Sequence, residues 1–167
     1  EYPGAAWVDH GRVTDNYYSY IEANMLRGVR IDAIGMQYHL FFNKDDLKSF
    51  YEFLDPQSLY KHMDLYARLK KPLQVTEITI PAFSWNNEDE EVQADILEKL
   101  YSIWFSHPNM EQIIYWNLVD GYAYVKSNDP IKIRESQGNM SLGENRYYGG
   151  LIRFDLTPKP AYYRLKE

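Results

Sequence analysis

Cysteine is absent from the 167 residues. That removes a disulfide framework and thiolate chemistry, and it leaves the compartment open. No run of about 18 apolar residues occurs, so no membrane-spanning helix is expected. No signal-peptide pattern is found either. Basic stripes are missing and the net charge is −6, so nucleic acid is not an expected partner. No Gly-rich phosphate loop follows a predicted strand, which argues against a nucleotide-binding open sheet. Metal-ligand spacing of the His-Glu-x-x-His type is also lacking.

What is abundant is aromatic surface. Sixteen Tyr and four Trp bring aromatics to 16%, more than a simple core requires. Tyr and Trp also stack on flat apolar ligands such as sugar faces. The length suits one domain, or part of a larger one. The opening Glu1-Tyr2-Pro3-Gly4 reads as the end of a strand or a loop.

Periodicity predicts alternating elements. Tyr18, Ile21, Met25 and Leu26 give a helix within about 9–27, closed by Gly28. Ile31 to Met36 reads as a strand. Asp55-Pro56 starts a second helix, an N-cap followed by Pro at the first helical position. Its apolar face is Leu59, Met63, Tyr66 and Leu69. Leu73 to Ile80 is the next strand. Asn86 or Asn87 opens a third helix with Glu88-Asp89-Glu90-Glu91 as a solvated first turn, not a metal site. Val92, Ile96, Leu100, Ile103 and Trp104 are its buried stripe. Ile113 to Trp116 is a third strand, Ser127 to Gly150 a long loop, Leu151 to Phe154 an apolar segment, and Pro158 to Leu165 a final helix.

Strands therefore recur every ~40 residues with helices between, a βα repeat that implies a parallel sheet. Barrel and open sheet both remain possible on that basis. Functional groups at C-terminal strand ends favour a (β/α)8 barrel, which needs about 250 residues. Three strands cannot close one, so this chain is expected to be part of a barrel.

Glu77 stands inside the apolar, β-branched run Leu73-Gln74-Val75-Thr76-Glu77-Ile78-Thr79-Ile80. A buried carboxylate costs several kcal/mol unless compensated, so a strand that keeps one pairs it or uses it. The preceding strand run ends in Gln37-Tyr38-His39, and Glu and His at corresponding strand ends suggest one shared site. The bland alternatives are a structural acid paired with an Arg and a satisfied structural His. His10, His62 and His107 read as helix-surface or helix-end residues. Trp7, Trp85 and Trp104 read as packing or surface, with Trp85 also a candidate distal sugar contact. Asn139-Met140-Ser141 fits the glycosylation pattern, as does much random sequence.

Four segments, in order, resemble family 10 glycoside hydrolases, the retaining endo-β-1,4-xylanases. Ile31-Asp32-Ala33-Ile34-Gly35-Met36-Gln37-Tyr38-His39 is similar to the family's sixth strand, and Val75-Thr76-Glu77-Ile78 to its seventh. Ile114-Tyr115-Trp116-Asn117-Leu118-Val119-Asp120-Gly121-Tyr122 is similar to the eighth. Gly150-Leu151-Ile152-Arg153-Phe154-Asp155 with Pro158-Lys159-Pro160-Ala161-Tyr162 resembles the closing segment. The resemblance implies an α/β fold, the C-terminal portion of a (β/α)8 TIM barrel covering about strands 6–8. Residues 1–167 would then be one part of a single barrel domain, with Glu1-Tyr2 at the end of the fifth strand and the earlier strands outside this chain.

The same resemblance implies site roles. Glu77 would be the nucleophile, with catalytic His39 and Gln37 orienting it and touching sugar hydroxyls. Trp116 would form a floor under the sugar, and Tyr124 a side wall where many members carry a second Trp. Thr79 stands where the family usually has an Asp held against the His. Retaining chemistry needs two carboxyl groups about 5–5.5 Å apart. The acid/base partner would sit on the fourth strand, before residue 1, so the chain alone is expected not to hydrolyse xylan. No cofactor is implied. The implied partners are xylan or xylooligosaccharide, and the N-terminal part of the same barrel as a separate chain or another copy. A secreted or periplasmic location is expected from the family. Rival readings are another retaining barrel glycanase acting on glucan or mannan, and a catalytically silent sugar-binding or scaffold fragment.

Overall fold

The computed structural model describes residues 16–46 and 54–167. Helix α1 spans Asn16–Leu26 and is followed by strand β1, Ile34–His39. Helix α2 (Pro56–Ala67) leads into β2 (Leu73–Thr79), and α3 (Asn87–Ser106) into β3 (Met110–Tyr115). Two short helices complete the chain, α4 (Pro130–Glu135) and α5 (Pro160–Lys166), with 3-10 turns at Lys44–Asp46 and Gly143–Tyr147. Among the described residues no helix is long and apolar enough to cross a membrane. The segments carrying Glu1–Gly4, Trp7 and His10 lie outside the described residues.

The three strands lie in the order β1-β2-β3. Ile34 N donates to Pro72 O and Leu40 N to Thr79 O, so β1 and β2 advance together. Leu73 N donates to Asn109 O, and Gln74 Nε2 reaches Glu111 Oε2 at 3.1 Å, which sets β2 and β3 the same way. A parallel sheet with helical crossovers is the result.

The register between β1 and β2 changes along its length. From Ile34 to Leu40 is a step of six residues, whereas from Pro72 to Thr79 is a step of seven. One extra residue is therefore accommodated in β2, as in a β-bulge. Its place is marked by two neighbours on one face. An ideal Cβ on Gly35 would lie 2.7 Å from Thr76 Cγ2, and the next residue, Glu77, reaches the side chains of Gln37 and His39. Regular alternation would send Thr76 and Glu77 to opposite faces.

The chain divides into two compact units, one drawn from Glu1–His39, Ser49–Ile78 and Ser102–Ile114, the other from Leu40–Lys48, Thr79–Tyr101 and Tyr115–Glu167. In the first, Ile34, Met36 and Tyr38 of β1 are buried while Gly35, Gln37 and His39 are half-buried. Tyr38 packs edge-on against Trp104 with centroids 5.1 Å apart. Asp55 caps α2 by accepting from Ser58 N at 2.9 Å, and Leu59, Met63 and Tyr66 are buried. In the second unit Ile80, Leu97, Leu100, Leu151 and Ala161 are buried, and Phe41 stacks on Tyr147 at 4.8 Å.

Several boundaries depart from expectation. The first strand is Ile34–His39 rather than Ile31–Met36, and the solvent-exposed pair Arg30–Asp32 lies ahead of it. The third is Met110–Tyr115, so Trp116 lies just past it. The 127–150 stretch is not one loop: Asp129 caps α4 through Ile131 N, with Pro130 at its start. The final helix begins at Pro160. The first turn of α3 is not a solvated acidic face, since Asp89 and Glu90 are buried. Glu90 takes the Arg153 guanidinium on both oxygens. His62 and His107 are buried too: His62 Nδ1 is 2.8 Å from Ser58 O and His107 Nε2 3.3 Å from Asp64.

Candidate active site

Glu77 gains its neighbours from the half-buried face of β1. Gln37 Nε2 donates to Glu77 Oε1 across 3.2 Å, and His39 Nε2 stands 2.9 Å from Oε2. Gln37 and His39 are two residues apart on a strand, so their side chains leave the same face. The extra residue in β2 turns Glu77 onto that face. The His39 and Glu77 side chains keep 15% and 20% exposure, enough to meet a ligand and too little for water alone to solvate a carboxylate. Each carboxylate oxygen holds one donor of this pair and retains further lone pairs. The arrangement orients a carboxylate and supplies a polar pair beside it, which suits a nucleophile or a base.

The sheet thus brings Glu77, His39 and Gln37 together. Trp116 and Tyr124 belong to the second unit and have their own setting. Trp116 is 37% exposed and Tyr124 57%, so both present ring surface. Trp116 Nε1 donates to Glu144 Oε2 at 2.9 Å, and Glu144 N donates to Tyr124 O at 2.9 Å. One residue therefore ties both aromatics to the turn at 143–147. That turn needs Gly143: its φ is +54, and a Cβ there would come 2.4 Å from Tyr124 O. Glu144 escaped the sequence reading because no local pattern links it to residues 20 and more positions away. Thr79 is buried, with its methyl 2.5 Å from where a Cβ on Gly149 would lie. Asn117, next to Trp116, has φ 66, a left-handed conformation that Asn tolerates better than most residues.

The model of glycosyl hydrolase family 10 matches residues 6–167. The chain belongs to glycosyl hydrolase family 10. The endo-1,4-beta-xylanase B of Thermotoga neapolitana is 24% identical over 154 residues, covering 90% of this chain and 37% of that protein. The anti-sigma-I factor RsgI6 of Acetivibrio thermocellus is 34% identical over 95 residues, covering 56% of this chain and 10% of that protein. Native xylanase 10B from Thermotoga maritima superposes with a TM-score of 0.62 at 24% identity, covering 90% of this chain and 40% of that one. The fold of this family 10 chain is that of an α/β barrel family, and the chain spans well under half the length of the two xylanases.

Proposed function

We propose that this family 10 chain supplies the nucleophile half of a retaining endo-1,4-β-xylanase, as about strands 6–8 of the barrel. The observation that carries this reading is the Glu77 carboxylate, with Gln37 on one oxygen and His39 on the other. Glu77 attacks the anomeric carbon of a xylose unit as the glycosidic C–O bond breaks and the leaving oxygen takes the proton of the acid/base carboxyl, and water then hydrolyses the glycosyl-enzyme intermediate. With the carboxylate accepting, His39 carries its hydrogen on Nε2. Gln37 and His39 each fix one oxygen of the carboxylate and contact the sugar hydroxyls. Trp116, held by Glu144, offers its ring to the sugar face, and Tyr124 adds a wall. The acid/base carboxyl comes from a strand before residue 1, in a companion segment or chain. The substrate is xylan or a xylooligosaccharide, and the enzyme acts in a secreted or periplasmic location.

The test uses 2,4-dinitrophenyl 2-deoxy-2-fluoro-β-xylobioside. Dinitrophenolate leaves without protonation, so a nucleophile can be trapped even where the acid is missing, and the fluorine slows the second step. The expected result is one fluoroxylobiosyl group on Glu77, found by peptide mass spectrometry and lost in Glu77→Gln. A label on another carboxylate, or none once the companion segment is supplied, overturns the assignment.

A further inference from the structure

A cavity of about 330 Å3 in the second unit is lined by Trp85, Arg153, Phe154 and Asp155. Such a volume lies at the low end of small-ligand pockets, about 300–1,000 Å3. Trp85 is 43% exposed and Phe154 39%. The indole is nevertheless fixed from behind. Its Nε1 donates to Asp120 Oδ2 across 2.7 Å, and Tyr148 meets its ring edge-on at 5.4 Å. Asp120 is fully buried, paired with the buried Lys159 ammonium at 2.7 Å, and accepts from Gly150 N at 2.8 Å.

The loop leading to Trp85 is shaped at a cost. Phe83 has φ 64, a strained conformation for a bulky residue, of order 1–3 kcal/mol. It is held there by hydrogen bonds from Ala82 N and Phe83 N to Tyr147 O.

The polar lining selects by charge. Arg153 is engaged throughout: Nε and one terminal nitrogen on Glu90, the other on Thr157 Oγ1 and Pro158 O. It therefore offers little to an anion, which Asp155 would also repel. Asp155 uses Oδ1 for the amide and hydroxyl of Thr157. A cation finds Asp155 but also the guanidinium of Arg153. A neutral ring with C–H faces and a hydroxyl rim meets no such conflict: its face lies on the indole and a hydroxyl donates to Asp155.

We propose that the cavity at Trp85, Phe154 and Asp155 is a second saccharide site that takes pyranose units of the xylan chain. It rests on xylan being the substrate, and goes further by giving the second unit a polymer-holding role of its own.

The test is a titration of the full chain with xylohexaose, read from the indole 1H–15N signals, with Trp85→Phe and Trp116→Phe used only for assignment. The Trp85 signal is expected to shift. Asp155→Asn removes the acceptor charge but keeps an oxygen for Thr157. It is expected to weaken binding read at Trp85 about tenfold, with the Trp116 response unchanged. Folding of the variant is visible in the same spectra. A Trp116 response without one at Trp85 overturns this inference and leaves the proposed function standing. No response at either, with the companion segment present, overturns both. A Trp85 response to a lysine-rich peptide and not to xylohexaose overturns the saccharide assignment.

Discussion

Glu77 is held by two donors of different character. Gln37 is a neutral amide and His39 an imidazole, and both come from one face of one strand. Under the proposed function the two sides of the site respond differently to substitution. His39→Ala in the complete barrel is expected to lower kcat about a hundredfold, the loss typical of one oriented donor. Tyr124→Ala removes only ring surface, so KM for xylooligosaccharides should rise with kcat nearly unchanged. Steady-state kinetics on the two variants separates these outcomes, and a fall in KM alone for His39→Ala would contradict its role. The trio was legible in the sequence because strand ends are local: an acid within a β-branched run and a Gln-x-His spacing need no tertiary knowledge. Glu144 was not legible, since its role depends on a turn folding back to both Trp116 and Tyr124.

The element that makes the site is the irregular strand β2. Thr76 and Glu77 face the same side only because one extra residue is accommodated there, and Gly35 on β1 makes room for Thr76. A methyl at Gly35 would lie 2.7 Å from Thr76 Cγ2. Thr76 is β-branched and stiff at χ1, so it cannot swing aside cheaply. Gly35→Ala is expected to destabilise the chain by about 1–3 kcal/mol. Adding Thr76→Ser, which deletes the offending methyl, should restore most of the loss in urea denaturation. If the double variant stays as unstable as the single one, Thr76 does not share Gly35's face.

A second element-scale prediction concerns the start of α3. Burial pushes the Asp89 carboxyl up, yet hydrogen bonds from Lys44, Ser84 and Asn86, with the Lys44 charge, outweigh burial and hold it below its ordinary 3.8. A depressed carboxyl contributes stability above its unfolded value and loses it as pH falls through the folded one. Urea midpoints should therefore drop between pH 5 and pH 3, about where carboxyls titrate, and Asp89→Asn should flatten that drop. Helices α2 and α3 were legible because caps and periodicity agree. The burial of Asp89 and Glu90 was not, because their partners Lys44 and Arg153 are about 45 and 63 positions away.

At the scale of the whole molecule, the family and the parallel βα order could be read from four sequence segments, whereas the division into two units could not. Units are built from chain pieces that meet only in three dimensions, and no composition shift marks residues 39, 79 or 102. The three strands also set the last prediction. Among the described residues β1 and β3 each have one strand neighbour, with β2 between them, and a closed barrel of this kind uses eight strands. An edge presents unpaired backbone groups that another strand can pair. Retaining hydrolysis of an unactivated xyloside requires a second carboxyl about 5–5.5 Å from the nucleophile, which the proposal assigns to an earlier strand. The chain alone should therefore release no reducing sugar from xylan, yet hydrolyse a dinitrophenyl xylobioside slowly if sugar binding survives, because that leaving group needs no acid. Co-expression with the first five strands of a family 10 barrel should restore xylan hydrolysis, and should do so only while Glu77 is present. Xylan turnover by the purified chain alone, abolished by Glu77→Gln, would place the acid within these 167 residues and end the two-part account.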